Sequence, residues 1–200
     1  MFYPIMLNLK EKNITVIGGG KVALRKVKTL LRYKANIKVI SPKFIDGFKE
    51  LENQIELIKE KIDVRYLKDS FLVVAATSNK KVNKEIKNYC KVNNILCNVV
   101  DDIDLSDFIV PSSIKRGNLV ISISTLGKSP SLASKIRKDL EFKYTKDYSE
   151  YVDILGDIRN IVLRKCEDKQ KRKKILNELV YLDLYELKKR RELYEGYTRI

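Results

Sequence analysis

The chain has no histidine. That removes the usual proton shuttle at neutral pH and the commonest metal ligand. Acid–base chemistry must fall to Asp, Glu, Tyr, Lys or Cys, and no metal site is expected. Cysteine is scarce: Cys90, Cys97 and Cys166 show neither metal-ligand spacing nor a disulfide framework. A reducing cytoplasm is the simplest setting for them. No apolar run approaches membrane-spanning length, and Met1 to Lys10 lacks the basic start of a signal peptide, so no membrane partner is expected. Internal repeats and low-complexity linkers are also absent.

Positive charge, by contrast, is in excess. Lys and Arg number 41 against 26 Asp and Glu, a net charge of +15 over 200 residues. The basic residues are scattered rather than striped with aromatics, so no nucleic-acid partner is expected. Lysine-rich solvated faces account for much of the excess, and the summed field would draw in an acidic substrate. A hydrophobic fraction of 44% is enough for a packed core.

The stretch Ile14-Thr15-Val16-Ile17-Gly18-Gly19-Gly20-Lys21-Val22-Ala23 organises the chain. Its β-branched run predicts a buried parallel strand. Gly18, Gly20 and Ala23 fit the small-residue form of the dinucleotide fingerprint. Gly18 permits the tight turn, Gly20 lets a pyrophosphate approach the backbone, and Ala23 allows close helix–strand packing. The start of the following helix offers N–H groups and a partial positive charge. The alternative is a glycine-rich turn with no ligand.

From Lys21 the apolar residues Val22, Ala23, Val27, Leu30 and Leu31 recur at helical spacing. Ile37 to Ile40 predicts a second strand, stopped by Ser41-Pro42. An acid that would bind ribose hydroxyls is missing there. Ser41 is a candidate for a ribose hydroxyl and Lys43 for the adenosine phosphate, against a plain strand-ending turn. Tyr3 to Leu9 reads as an edge strand or strap, Phe44 to Glu52 as a short helix, and Ile55 to Ile58 as a third strand. Phe71 to Thr77 reads as a buried strand whose small carboxyl end, Ala76-Thr77, suits a close nucleotide. Asn79 to Val92 follows as a helix, then Ile95 to Val100 as a fifth strand running into Asp101-Asp102.

This βαβα succession predicts a parallel, doubly wound α/β sheet. Ligands in such sheets sit outside the carboxyl ends of the strands, which is where Gly18, Ser41, Thr77 and Asp101 fall. With no histidine, the arrangement suits hydride transfer with Asp101 as proton acceptor; the alternative is a charged strand-ending turn. Beyond it, Phe108 to Lys115 and Leu119 to Ser124 read as a hairpin turned at Arg116-Gly117-Asn118. A helix starts near Pro130, with Leu132, Ile136 and Leu140 on its apolar side. Past Tyr144 the pattern is helical: Tyr151, Ile154, Leu155, Ile158 and Val162 form one stripe. The run Lys171 to Lys174 reads as a solvated helix face, and Ile175, Leu176, Leu179 and Val180 as an apolar one.

Three stretches together resemble the precorrin-2 dehydrogenase family, the first module of siroheme synthases. They are Val16 to Lys26, Asn98-Val99-Val100-Asp101 and Phe108-Ile109-Val110-Pro111-Ser112; Ser124-Thr125-Leu126-Gly127-Lys128-Ser129-Pro130 matches a further loop. The likeness covers roughly residues 3 to 145. It implies a Rossmann-type domain at 1–107, a dimerisation hairpin and helix at 108–145, and a small C-terminal helical domain at 146–200. It implies oxidation of precorrin-2 to sirohydrochlorin with NAD as acceptor and Asp101 as the catalytic base. Gly18, Gly19, Gly20, Lys21, Val22, Pro42 and Lys43 fall on the nucleotide side, and Asn98, Ser124 and Thr125 on the substrate side. A homodimer is implied. Some members also insert Fe²⁺ into the product, and Thr125 stands where some carry a regulatory phosphoserine. A reading of another class remains beside it, a nucleotide-sensing module with no chemistry.

Overall fold

The protein is described from a computed structural model that covers residues 1–198. Residues Met1–Val110 form one compact unit, and the chain from Pro111 onward forms a second.

The first unit is built on five parallel strands: β1 (Asn13–Ile17), β2 (Asn36–Ile40), β3 (Glu56–Ile58), β4 (Leu72–Ala75) and β5 (Leu96–Val99). Their order is β3-β2-β1-β4-β5. Valine and isoleucine fill the central strands because both faces are covered. On one face Ile14, Val16, Ile37, Val39, Leu72 and Val74 pack against Ala23 and Val27 of α1 (Lys21–Leu31). On the other, Ile17, Ile40, Val73, Cys97 and Val99 pack against Ile86 and Cys90 of α2 (Lys80–Val92). Each fully buried aliphatic side chain contributes about 1.5–3 kcal/mol. The chain leaves β1 toward β2 on one side and returns to β4 on the other, so the connection direction reverses between β1 and β4.

Several local expectations are corrected. Of the two readings of Tyr3 to Leu9, only the edge strand fails: no strand forms, Tyr3, Ile5 and Met6 are exposed, and Leu9 packs on the core. Phe44 to Glu52 is reduced to a 3-10 helix at Asp46–Leu51, which buries Phe48 and Leu51. Gly47 at its second position weakens any longer helix. A further 3-10 turn at Val64–Leu67, capped by Asp63, had no sequence counterpart.

The second unit opens with an antiparallel hairpin, β6 (Ser112–Arg116) and β7 (Leu119–Ile123). The first hairpin strand is shorter than Phe108 to Lys115, because Pro111 lacks an N–H for a ladder. Gly117 makes the turn at φ +56, and a Cβ there would meet the Ser149 Oγ at 2.2 Å. Next comes α3 (Pro130–Lys143), whose apolar side differs from expectation: Ala133 is buried and Leu132 is exposed. Helices α4 (Tyr148–Lys165), α5 (Lys169–Leu179) and α6 (Leu184–Gly196) enclose a separate core of Ile154, Ile158, Val162, Leu179 and Leu187. Lys171, Lys173 and Lys174 are solvated as expected, whereas Arg172 folds back and its Nε donates to the Cys166 carbonyl. Val180 is exposed rather than packed. Of the expected C-terminal domain, residues 199–200 lie outside the described residues. No described helix is long and apolar enough to cross a membrane.

Candidate functional site

The strands of the first unit end in step. Ile17 is level with Ile40 and with Ala75, and Ala75 with Val99. The ladder continues one rung further. Ser41 N–H donates to Ile58 O at 3.1 Å, Gly18 to Ile40 O at 2.9 Å, Ala76 to Ile17 O at 2.8 Å, and Val100 to Ala75 O at 2.9 Å. Gly18, Ser41, Ala76 and Val100 therefore form one row, with Asp101 just beyond it. Adjacent strands are about 4.8 Å apart, so Asp101 stands about 10 Å across the row from the glycine turn. The row lies at the topological switch point, where open α/β sheets bind ligands.

The three glycines do different work. Gly18 has φ +125, and a Cβ there would lie 2.4 Å from the Ala76 carbonyl oxygen. Gly19 is required by a second close approach: a Cβ would lie 2.0 Å from the Lys43 carbonyl oxygen and 2.9 Å from Ser41 Oγ. Nothing in the protein stands within 4 Å of a Cβ on Gly20, so the protein's own packing does not demand glycine there. Gly20 is the N-cap of α1 and supplies no side-chain hydrogen bond to its first turn, which holds no acid. In α2, by contrast, Asn79 Oδ1 accepts from Lys81 N at 3.0 Å and Val82 N at 3.2 Å. The open cradle over Gly20 and the uncapped N–H groups fit the pyrophosphate of a dinucleotide. Lys21 is exposed and Val22 half-buried at this helix start.

At the end of β2 the Ser41 hydroxyl is engaged within the protein. It is buried and donates to the Lys43 carbonyl at 2.7 Å, forming the turn that presses on Gly19. Pro42 and Lys43 are exposed. After β4, Thr77 Oγ1 donates to Asn83 Oδ1 at 2.6 Å, and Asn83 Nδ2 donates to Thr77 O at 3.0 Å. Sequence reading passed over Asn83, although an amide one turn into an apolar helix face is the signal that would have marked it.

After β5 the chain makes a tight loop. Asn98 is buried, and its amide donates to Phe108 O at 3.0 Å. Ser106 Oγ accepts from Val99 N at 2.9 Å and lies 2.7 Å from Asp102 O. Asp107 Oδ2 accepts from Cys97 N at 2.9 Å and Oδ1 pairs with Lys87. This bracing presents Asp101 exposed, with a left-handed backbone at φ +63. Lys26, on α1, is the neighbouring cation that sequence reading left without a role. Burial holds its ammonium below the ordinary lysine range, Arg25 acts the same way, and the Asp101 carboxylate pulls it back up.

Ser124 and Thr125 lie in the second unit. Ser124 Oγ accepts from Leu126 N at 3.0 Å, and Thr125 Oγ1 from Ser129 N at 2.9 Å, shaping the loop before α3. Among the described residues no group of His, Cys, Asp and Glu could hold a metal ion.

Residues 5–112 match a family model described as "Putative NAD(P)-binding", and residues 116–141 one described as "Sirohaem biosynthesis protein central". The chain is 32% identical to a precorrin-2 dehydrogenase of Priestia megaterium over 89% of each chain. It is 37% identical to one from Methanosarcina barkeri over 88% of this chain and 81% of that protein. It is also 37% identical to a siroheme synthase of Pseudoalteromonas translucida over 82% of this chain, but spans only 35% of that protein's length. The solved structure of SirC, a precorrin-2 dehydrogenase, superposes with a TM-score of 0.81 at 30% identity, covering 98% of this chain and all of that one.

Proposed function

Because the chain belongs to the family of precorrin-2 dehydrogenases and siroheme synthase N-terminal modules, we propose that it oxidises precorrin-2 to sirohydrochlorin with NAD as acceptor. The observation that carries the chemical assignment is the exposed Asp101, held one residue beyond the row that begins at the Gly18 turn. The dinucleotide, when bound, supplies the hydride acceptor. Uncapped N–H groups of α1 and the space over Gly20 hold its pyrophosphate, with Lys21, Val22, Pro42 and Lys43 along its path. Two hydrogens leave the tetrapyrrole: one with its electron pair, the other as a proton to the Asp101 carboxylate. The net charge of +15 favours capture of a substrate rich in carboxylates. Asn98, Ser124 and Thr125 are the proposed substrate-side residues. We further propose a homodimer, formed through the hairpin and α3, and a reducing cytoplasmic setting, which three free cysteines support.

The test is an anaerobic assay that follows reduced dinucleotide as precorrin-2 is supplied, with NAD and NADP in parallel. Asp101→Asn should abolish turnover and leave dinucleotide affinity intact. Full turnover in that variant removes Asp101 from the mechanism. Dinucleotide binding by the unaltered protein without any oxidation favours the sensing module instead. Adding Fe²⁺ to sirohydrochlorin and the protein tests the bifunctional alternative, in which the chain also inserts iron.

A further inference from the structure

β5 is an outer strand of the sheet, so its outward N–H groups have no ladder partner. The chain that follows folds back and supplies side chains in place of another strand. Asp107 Oδ2 accepts from Cys97 N at 2.9 Å, and Ser106 Oγ accepts from Val99 N at 2.9 Å. Asp107 N–H also donates to the Cys97 carbonyl at 2.8 Å. Ahead of these anchors the chain reverses in a turn from Val99 to Asp102, closed by Asp102 N–H to Val99 O at 3.2 Å. Asp101 stands at the third position of that turn, with φ +63. A residue other than glycine keeps such a conformation only where its surroundings fix it.

Ser106 fixes both ends of the turn. Its hydroxyl accepts from Val99 N, donates to Asp102 O at 2.7 Å and lies 3.2 Å from Val99 O. A hydroxyl can accept and donate at one atom, which is what this junction needs. The Asp102 carboxylate is engaged, accepting from Leu105 N at 3.1 Å. That of Asp101 makes no ion pair among the described residues, so the turn decides where it stands. We infer that Ser106 is a positioning residue for the oxidation: by clamping the turn it holds the Asp101 carboxylate where the proton leaves the tetrapyrrole. The inference rests on the function proposed above and names what aims its base. The electron pair goes to the dinucleotide and the proton to Asp101; Ser106 exchanges no proton. It contributes geometry, to which the rate is sensitive on the ångström scale.

The experiment compares the full chain with Ser106→Ala, Ser106→Thr and a control, Thr15→Val. Thr15 lies in the middle of β1 and its Oγ1 meets Ser70 Oγ, just ahead of β4, at 2.7 Å, so the control removes a hydroxyl bond of the same sheet away from the turn. The readouts are kcat and KM for precorrin-2, dinucleotide affinity by fluorescence, and amide hydrogen exchange at Val99. Ser106→Ala should lower kcat by about ten-fold or more and speed exchange at Val99 by a similar factor, about ten-fold. KM and dinucleotide Kd should stay within about two-fold. Ser106→Thr should recover most of kcat and the slow exchange, and Thr15→Val should keep full kcat. An unchanged kcat in Ser106→Ala, a loss confined to KM or to the dinucleotide, no recovery by threonine, or an equal loss in Thr15→Val overturns the inference. If Ser106→Ala fails to fold, Ser106→Cys keeps the size with a much weaker donor and is read the same way. If the unaltered protein does not oxidise precorrin-2, the function above fails and the inference with it; turnover by the unaltered protein with full kcat in Ser106→Ala overturns the inference alone.

Discussion

Thr77 and Asn83 hold each other twice: the hydroxyl donates to the amide oxygen at 2.6 Å, and the amide nitrogen donates back to the Thr77 carbonyl at 3.0 Å. Asn83 is buried, so removing its amide strands the Thr77 carbonyl at the carboxyl edge of the sheet. Asn83→Leu should lower unfolding free energy by about 1–3 kcal/mol, read from the urea midpoint. It should also weaken dinucleotide binding, since the turn between β4 and α2 borders the row of strand ends.

The glycine turn separates folding from binding. Gly18→Ala and Gly19→Ala should each destabilise the chain strongly, because the new methyl would meet backbone carbonyls at 2.4 and 2.0 Å. Gly20→Ala has open space and should cost no more than about 1 kcal/mol as a weaker N-cap. Its dinucleotide Kd should nevertheless rise clearly, because the methyl enters the cradle. Thermal melts beside binding titrations on the three variants decide it; a Gly20→Ala protein that binds normally would place the phosphates elsewhere.

The backbone at Asp101 dictates how its chemistry is tested. At φ +63 an alanine is strained, whereas asparagine tolerates the left-handed region. Asp101→Ala should therefore be less stable than Asp101→Asn by about 1 kcal/mol, with both inactive. Equal midpoints in urea would contradict the strain.

Lys26 gives a pH-dependent signature. Its folded-state pKa lies below the ordinary 10.5, so between the depressed value and the ordinary one the unfolded chain binds more protons. Stability from this group therefore rises with pH through that window, and at neutral pH the charged form is a burden. Lys26→Met should raise the melting temperature at pH 7, and the gain should shrink as pH climbs toward 10. A gain that persists in full at high pH would assign it to packing.

The neighbouring Cys90 thiol and burial together push the Cys97 thiol up. All three cysteines are buried. Iodoacetamide at mildly alkaline pH should leave the native protein unlabelled and modify every cysteine after denaturation. Rapid native labelling at Cys97 would show an open core.

The sheet was legible because its strands are continuous β-branched runs and its helices carry apolar residues at helical spacing. Val16, Val39 and Val74 could hardly have been placed elsewhere. The glycine turn and Asp101 were legible for the same reason, since parallel strands bring their carboxyl ends to one edge. Gly19 and Asn83 were not, because their roles depend on partners distant in sequence or hidden by a turn: the Lys43 carbonyl for one, the Thr77 pair for the other. Lys26 looked like any surface lysine of a basic helix, yet the fold leaves it half-buried. Ser41 looks in sequence like a group free to meet a ribose; folded, its hydroxyl already serves a loop. Leu132 fits a helical period yet faces water, because α3 buries Ala133 instead.

The contact between Gly19 and the Lys43 carbonyl has a mechanical consequence. It welds the loops that follow β1 and β2 into a single plate, with the Ser41 hydroxyl as its rivet. A ligand lying across both loops meets a surface already set, so little chain entropy is lost on capture. Loosening that rivet would let the two loops move apart and so raise the entropy lost when a ligand spans both.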